Sequence, residues 1–310
     1  MYLICYMNRI YLGFILLMSC TQILYSQHSV LVLGIAQDGG YPHIGCKKEC
    51  CNLAWQNDSL KKMVVSLAIT DSVSRQWWLM EATPDITSQL HLFDSLTHHH
   101  YPFLPAGIFI THAHIGHYTG LMELGREALN SNQIPVYCLP KMKTFLTENG
   151  PWSQLVKLNN ITLHELKTDS LFSFGNLQIM AFLVPHRDEY SETAGFKFSI
   201  HHSKYLFIPD IDKWSKWNRN MMEEVMQVNT AFLDGTFYTE NELPGRNIAE
   251  IPHPTINETM QLDWENYGKT TRSKVFFIHF NHTNPVMWNS TIQKELQLHY
   301  FNFAMQGHWY

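Results

Sequence analysis

The chain reads as an α+β protein in which two β-sheets pack against each other and helices cover their outer faces. Three observations predict this. Apolar runs of strand length recur from residue 29 to residue 280. Helical spacing is interspersed among those runs rather than collected in a separate block. Polar residues able to do chemistry, mostly His and Asp, fall just beyond the ends of the runs. Strands in excess, with helices between them, fit two layers of sheet around one core.

Taken in order, residues 29–34 form a buried opening strand, Ser-Val-Leu-Val-Leu-Gly. A glycine-rich turn follows, Gln37-Asp38-Gly39-Gly40, and Asp38 reads there as a structural turn residue. Segments 64–70 and 76–81 make a strand pair. Segment 106–111 is a short apolar strand that ends at a histidine cluster. Segment 121–129 has helical spacing, 134–139 is a strand and 141–149 a helix. Strands follow at 177–185, 195–201, 205–209, 230–235 and 275–280. No internal repeat or low-complexity linker divides residues 27–310, so they are read as one domain.

The N-terminus has the pattern of an export signal. Arg9 supplies a positive charge, and an apolar run spans residues 10–18. That run is too short for a spanning helix, which needs ~20 residues, but it suits a signal core. Residues 1–26 are therefore expected to be a leader, with Met7 as an alternative start. Two processing routes stay open. Cleavage after Ser26 leaves Gln27 first, whereas Leu17-Met18-Ser19-Cys20 resembles a bacterial lipobox with Cys20 lipidated. Either route places the protein outside the cytoplasm, in the periplasm or as an outer-membrane lipoprotein. An uncleaved anchor is the third reading. No other segment has the length to span a membrane.

Composition narrows the function. Apolar residues make up 45% of the 310 and charged residues 16%, so a large core is available and disorder is not expected. The net charge of −5 gives no support to a nucleic-acid partner, and a small-molecule substrate is expected instead. The 18 His nearly equal the 22 Lys and Arg together. Some, such as His98, His99 and His100, read as surface residues. Others fall in a pattern. In Thr111-His112-Ala113-His114-Ile115-Gly116-His117, His112 and His114 are two apart just past a strand and converge on one side. His117 follows a glycine turn and reaches a second position. Zinc favours imidazole nitrogens so arranged.

This segment resembles the His-x-His-x-Asp-His motif of the metallo-β-lactamase superfamily, with Thr before it and Gly120-Leu121 after it. Other landmarks follow in order. Val184-Pro185-His186 resembles the third motif, which implies His186 as a ligand. Tyr205-Leu206-Phe207-Ile208-Pro209-Asp210 resembles the strand ending in the metal-bridging Asp210. Phe277-Ile278-His279-Phe280 resembles the last motif, with His279 as a ligand. The resemblance covers nearly all of the mature chain and implies the αββα sandwich of that family. Thr283-Asn284-Pro285 and the glycine turn leading to a Cys cluster resemble the pyrroloquinoline-quinone biosynthesis protein B group. Leu233-Asp234-Gly235-Thr236-Phe237 and His253-Pro254-Thr255 resemble the acidic and His loops of the phosphodiesterase members. There the His helps protonate the leaving group, which would make His253 and Asp234 catalytic here.

One departure stands out. Gly116 occupies the place of the motif's Asp, an acid that normally serves the second metal. By resemblance the first site is intact as His112, His114, His186 and Asp210. The second keeps His117, Asp210 and His279, lacks one acid, and is expected to be weak or altered. His282 is a candidate substitute, its other reading being a hydrogen bond within its loop. Cys138 is isolated and reads as a buried apolar residue. Cys46, Cys50 and Cys51 are too closely spaced for a disulfide framework and read as a structural zinc site, a disulfide plus one free thiol being the alternative. The fourth ligand is expected to be His308, by likeness to related phosphodiesterases, or the local His43.

The function expected is metal-dependent hydrolysis of an ester or phosphodiester-type bond by one catalytic zinc, with iron or manganese also compatible. The rival within the fold is a metal-dependent oxidase or oxygenase of the quinone-cofactor type. A third reading is a non-catalytic metal- or cofactor-binding protein.

Overall fold

A computed structural model describes residues 29–310, apart from 244, 246, 248 and 249. The expected leader, residues 1–26 with Cys20, lies outside the described residues.

Strands β1 (Val30–Gly34), β2 (Ser66–Asp71), β3 (Gln76–Met80), β4 (Gly107–Phe109), β5 (Ile134–Cys138) and β6 (Ile161–Glu165) form the first sheet, in sequence order. The first three are antiparallel and the last four run parallel from β3 onward. The second sheet contains β7 (Leu171–Phe174), β8 (Leu177–Val184), β9 (Thr193–Ile200), β10 (Ser203–Ile208), β11 (Thr230–Asp234), β12 (Val275–Ile278) and β13 (Asn302–Phe303). Here β7 to β10 are antiparallel and β10 to β13 parallel.

Side-chain alternation explains why both sheets are buried on two faces. Val30 and Val32 of β1 point between the sheets with Leu67, Ile69, Trp78, Met80 and Phe109. Leu31 and Leu33 point the other way, to a second core with Ala68, Trp77 and Leu79. Helix α1 (Glu49–Gln56) lies near the glycine-rich turn. Helix α2 (Ile86–Leu96) covers the outer face of the first sheet, where Phe93 stacks on Trp77 with ring centres 3.9 Å apart. On the outer face of the second sheet, Phe182 stacks on Trp217 at 5.7 Å, and Trp264 meets Phe301 edge-on at 5.3 Å.

The last residues join the two sheets at their edges. After β13, the chain crosses to β1, where Val32 N donates to His308 O, Val30 N to Tyr310 O and Tyr310 N to Val30 O. Leu31 bridges Trp309 in antiparallel fashion.

The expected strands are present at or within a few residues of their predicted bounds. One element differs. The helical spacing at 121–129 yields only a 3-10 helix, Thr119–Leu124, followed by turns. Gly125 ends it with extended backbone, ψ 171°, and Ser131 Oγ ties the returning chain to Leu124 O at 2.9 Å. The strands β6 and β7, which were not expected, are partly exposed and have mixed polarity. Among the described residues no helix is long and apolar enough to cross a membrane.

Candidate metal centre

The parallel strands of both sheets end on the same side, and their ends carry the site. From the first sheet, β4 runs into His112, His114 and the one-turn helix α3 (Ile115–Tyr118) that contains His117. From the second, His186 follows β8, Asp210 follows β10, Asp234 ends β11 and His279 follows β12. Parallel register sets Asp234 opposite Ile278 and Ile208 opposite Leu233, so these ends are level.

The side chains converge on two neighbouring positions, with Asp210 lying between them. His112, His114, His186 and Asp210 bring one ligating atom each to within 4.8 Å of one another. Asp210 Oδ2 lies 3.4 Å from His112 Nε2, and Asp210 Oδ1 3.2 Å from His186 Nε2. His114 Nδ1 lies 2.8 Å from His112 Nε2 and 3.3 Å from His186 Nε2. A tetrahedral ion with bonds of ~2.0–2.1 Å separates its ligands by roughly 3.4 Å, so the spacing fits one. Asp38, His117 and His279 form a second convergent group. There His117 Nε2 lies 3.2 Å from Asp38 Oδ1 and 3.8 Å from Asp210 Oδ2, and His279 Nε2 lies 3.9 Å from Asp210 Oδ2.

Several of these atoms are buried and carry no hydrogen bond: Asp38 Oδ1, both nitrogens of His117, Asp210 Oδ1 and His279 Nε2. Orphaned buried donors and acceptors are costly. A divalent cation would satisfy nearly all of them, so these residues fit a metal centre.

A surrounding layer fixes which nitrogen of each ring faces inward. Thr111 Oγ1 meets His112 Nδ1 at 2.8 Å, and Glu189 Oε2 meets His114 Nε2 at 3.1 Å. Glu81 Oε1 sits 3.6 Å from His117 Nδ1. Thr236 Oγ1 donates to Asp234 Oδ1 at 2.7 Å and lies 2.9 Å from His279 Nδ1. With its proton so used, Thr236 accepts from His279 Nδ1–H and leaves Nε2 with the lone pair. Such partners orient metal ligands and raise their basicity. Glu81 and His279 also hold left-handed φ values of 69° and 66°, a backbone cost that concentrates at functional sites.

His253 and Asp234 stand beside the first position. Asp234 is fully buried and uses both oxygens: Oδ1 accepts from Thr236 N and Oγ1, and Oδ2 from Ile211 N at 3.1 Å and His253 Nδ1 at 2.9 Å. With its lone pairs committed, Asp234 is an orienting group rather than a ligand. His253 Nδ1 also lies 3.2 Å from Asp210 Oδ1. Burial opposes a charge on His253, but Asp234 and Asp210 outweigh it and raise the imidazole to about 9. For His112 burial wins, and its value falls well below the usual range. Burial also takes His279 down to about 4. A neutral imidazole is the form that ligates.

A sequence model of the β-lactamase superfamily domain matches residues 76–280, about two thirds of the chain and the span from β3 to His279. This chain belongs to the metallo-β-lactamase superfamily. Coenzyme PQQ synthesis protein B of Acinetobacter baumannii is 25% identical over 313 residues, covering 90% of this chain and 98% of that protein. Its counterpart in Methylorubrum populi is 23% identical over 288 residues, covering 83% and 91%. Among solved structures, the Zn(2+)-bound PqqB of Methylobacterium extorquens has a TM-score of 0.73 at 18% identity, covering 91% of this chain and 99% of that one. A diphosphatase of the PhnP family scores 0.63 at 18% identity, covering 91% and 96%. The short form of human tRNase Z scores 0.54 at 15%, covering 91% and 98%. These likenesses establish the αββα fold.

Set against the superfamily motif, the residues inferred from sequence are all placed in the centre: His112, His114, His117, His186, Asp210 and His279 as convergent donors, with His253 and Asp234 adjacent. Asp38 was read as a turn residue. It does lie in the expected turn, but its carboxylate faces His117 at 3.2 Å. Glu81 and Glu189 were missed. Glu81 ends an apolar strand in the sequence, and that position was the available signal.

The Cys cluster brings a correction. Cys46, Cys50, Cys51 and His282 bring their ligating atoms within 4.8 Å of one another, and the three thiols are free. The fourth position belongs to His282, whose Nδ1 lies 3.4 Å from Cys51 Sγ, and not to His308 or His43. His308 is exposed and its carbonyl pairs with β1. His43 stacks outside His282 with ring centres 4.5 Å apart, its Nδ1 bonded to Ile44 O. His282 is thereby removed from the active centre, where it was a candidate substitute for the missing acid. Three sulfurs and one nitrogen suit a closed tetrahedral zinc site. Burial, with His43 and Lys48 nearby, pushes His282 down to about 4, and burial pushes the Cys51 thiol up to about 12. A positive charge among them would favour the thiolates.

Proposed function

We propose that the protein is a metal-dependent hydrolase acting on an ester or phosphodiester-type bond of a small molecule. The observation that carries this reading is the His253–Asp234 pair, 2.9 Å apart, with His253 Nδ1 also 3.2 Å from Asp210 Oδ1. A carrier of metal or cofactor has no need of a buried carboxylate that keeps an imidazole protonated.

His112, His114, His186 and Asp210 would hold the reactive ion, zinc fitting best by donor type and manganese or iron also compatible. Such an ion lowers the pKa of bound water towards ~7 and so supplies a hydroxide near neutral pH. The protein's own groups do the remaining work. His253 holds its proton at neutral pH because Asp234 faces Nδ1, and Nε2 is then the atom that hands a proton to the departing oxygen. Once neutral, His253 is recharged from solvent, since the Asp234 carboxylate keeps favouring the cation. Thr236 holds Asp234 and His279 in one network, so the proton donor and the metal ligands share a fixed frame.

The test is a panel of carboxylic esters, phosphodiesters and diphosphates, offered to protein loaded separately with zinc, manganese and iron(II). Metal-dependent hydrolysis of at least one class is expected, with His253→Gln slower by ~10²–10⁴-fold at unchanged metal content. No turnover in any loading, or native turnover in His253→Gln, rejects the reading. Oxygen uptake without hydrolysis would support the oxidative chemistry instead. The charge and apolar run at residues 9–18 support export as part of the same proposal.

A further inference from the structure

The superfamily motif loses its acid at Gly116, yet the space that acid would fill is occupied. A Cβ placed on Gly116 would lie 2.2 Å from Asp38 Oδ1, 2.6 Å from Asp38 Cα and 3.0 Å from Asp38 Cγ. One of these atoms is backbone and cannot swing aside. The absence of a side chain at residue 116 and the presence of a carboxylate from residue 38 are thus one feature.

We propose that Asp38 is the acidic ligand of a second divalent-cation site, completed by His117, His279 and Asp210, and that Gly116 is required to admit it. Three observations support this. Asp38 Oδ1 stands 3.2 Å from His117 Nε2, within the spacing of neighbouring ligands on one ion. Asp38 Oδ1, His117 Nε2 and His279 Nε2 are all buried without a hydrogen bond, although the side chains of His117 and His279 are fully enclosed. The loop bearing Asp38 is also pinned to the strand end bearing His279. Gln37 N donates to Phe280 O and Phe280 N to Ile35 O, each at 2.8 Å. Gly40, with φ +68°, then turns the chain away. The acid's position relative to His279 is therefore set by backbone, as that of an acid within the motif would be. Behind His117, Glu81 Oε1 faces the other nitrogen at 3.6 Å.

This deepens the hydrolase reading, but its test does not depend on turnover. Zinc and cobalt(II) are titrated into the metal-free protein, with ions per chain counted after dialysis against a weak chelator. Cobalt at the Cys46–Cys50–Cys51–His282 site is recognised by its thiolate charge-transfer absorption, so the remaining ions are those of the active centre. The native chain should hold two there. Asp38→Ala should hold one tightly, with the second weaker by at least ~10–100-fold. Gly116→Ala, with Asp38 unchanged, should also weaken the second ion, because its Cβ would push the residue 38 backbone and carboxylate out of place. Gly116→Asp alone should fail to improve binding, since Asp38 still fills the space. One ion in the native centre, or two equally tight ions in Asp38→Ala, overturns the proposal. So does a Gly116→Ala variant that folds, by near-ultraviolet circular dichroism, and still binds both ions as tightly as the native chain. A chain that binds two ions and hydrolyses nothing would leave this assignment standing while rejecting the hydrolase.

Discussion

Asp234→Asn isolates what the buried carboxylate does. Asp234 accepts four hydrogen bonds, from Thr236 N, Thr236 Oγ1, Ile211 N and His253 Nδ1, at 2.7–3.1 Å. An amide offers one oxygen and one NH2. If the NH2 takes the Oδ2 position, it confronts two donors, Ile211 N–H and His253 Nδ1–H. If it takes the Oδ1 position, Thr236 Oγ can rotate to accept, but Thr236 N–H is left bare. The less costly arrangement leaves one orphaned buried donor, a loss of about 1–3 kcal/mol. For a domain of this size that is a fall of roughly 2–10 °C in melting temperature. The charge matters separately. His253 is raised to about 9 although burial opposes it, and a bound ion would engage Asp210, leaving Asp234 as the main partner. Native His253 therefore contributes stability that is fully present below the unfolded value of ~6.5 and lost as pH rises through about 9. In Asp234→Asn burial dominates, so that high-pH loss should shrink and the imidazole should titrate below neutrality. Urea unfolding from pH 6 to pH 10, with histidine titration followed by NMR, measures both. A variant that melts within a degree of native, with His253 still titrating near its native value, would refute the reasoning.

Three other outcomes are expected. His282→Ala should remove one ion per chain and lower the melting temperature, because structural zinc is coupled to folding. His308→Ala should leave metal content unchanged, and elemental analysis of the two proteins separates the assignments. Asp71 is buried in the β2–β3 turn. Burial opposes its charge, but hydrogen bonds from Ser74, Val73 N–H and Asn176 outweigh it and lower its pKa. The stability gap between native protein and Asp71→Asn should therefore be full above the unfolded value of ~3.9 and close as pH falls through the lower folded value, as acid titration of unfolding would show. Mass spectrometry of protein expressed in a native-like bacterial host should find a mature N-terminus at Gln27 or a lipidated Cys20, and an intact Met1 or Met7 in a soluble cytoplasmic fraction would refute export.

How much of this was readable from sequence depended on distance along the chain. The strands bearing His112, Asp210 and His279 are uninterrupted apolar runs, buried on both faces, and their polar ends stand out by contrast. The spacing of His112, His114 and His117 is local, so it is visible in six letters. Asp38 is remote from Gly116 in sequence, and its approach depends on two backbone hydrogen bonds to the His279 strand end. No local pattern encodes that. The place of His282 in the Cys cluster is hidden for a related reason. It sits three residues from His279, but the turn between them sends its ring to the Cys cluster instead of the active centre. The strands β6 and β7 were missed because half-exposed positions dilute their apolar pattern. The 121–129 segment shows the opposite failure, since helical spacing there satisfies core contacts through a 3-10 turn that Gly125 ends early.

The C-terminal segment has a practical consequence for anyone handling this protein. Strand β1 is the outermost strand of its sheet, and without residues 308–310 its free N–H and C=O groups would be a template for pairing with another molecule. Those residues occupy that ladder, and Tyr205 Oη fastens Tyr310 O from the opposite sheet at 3.0 Å. Trimming three residues would thus bare a fully apolar edge strand and invite self-association, even though every group of the metal centre stayed intact.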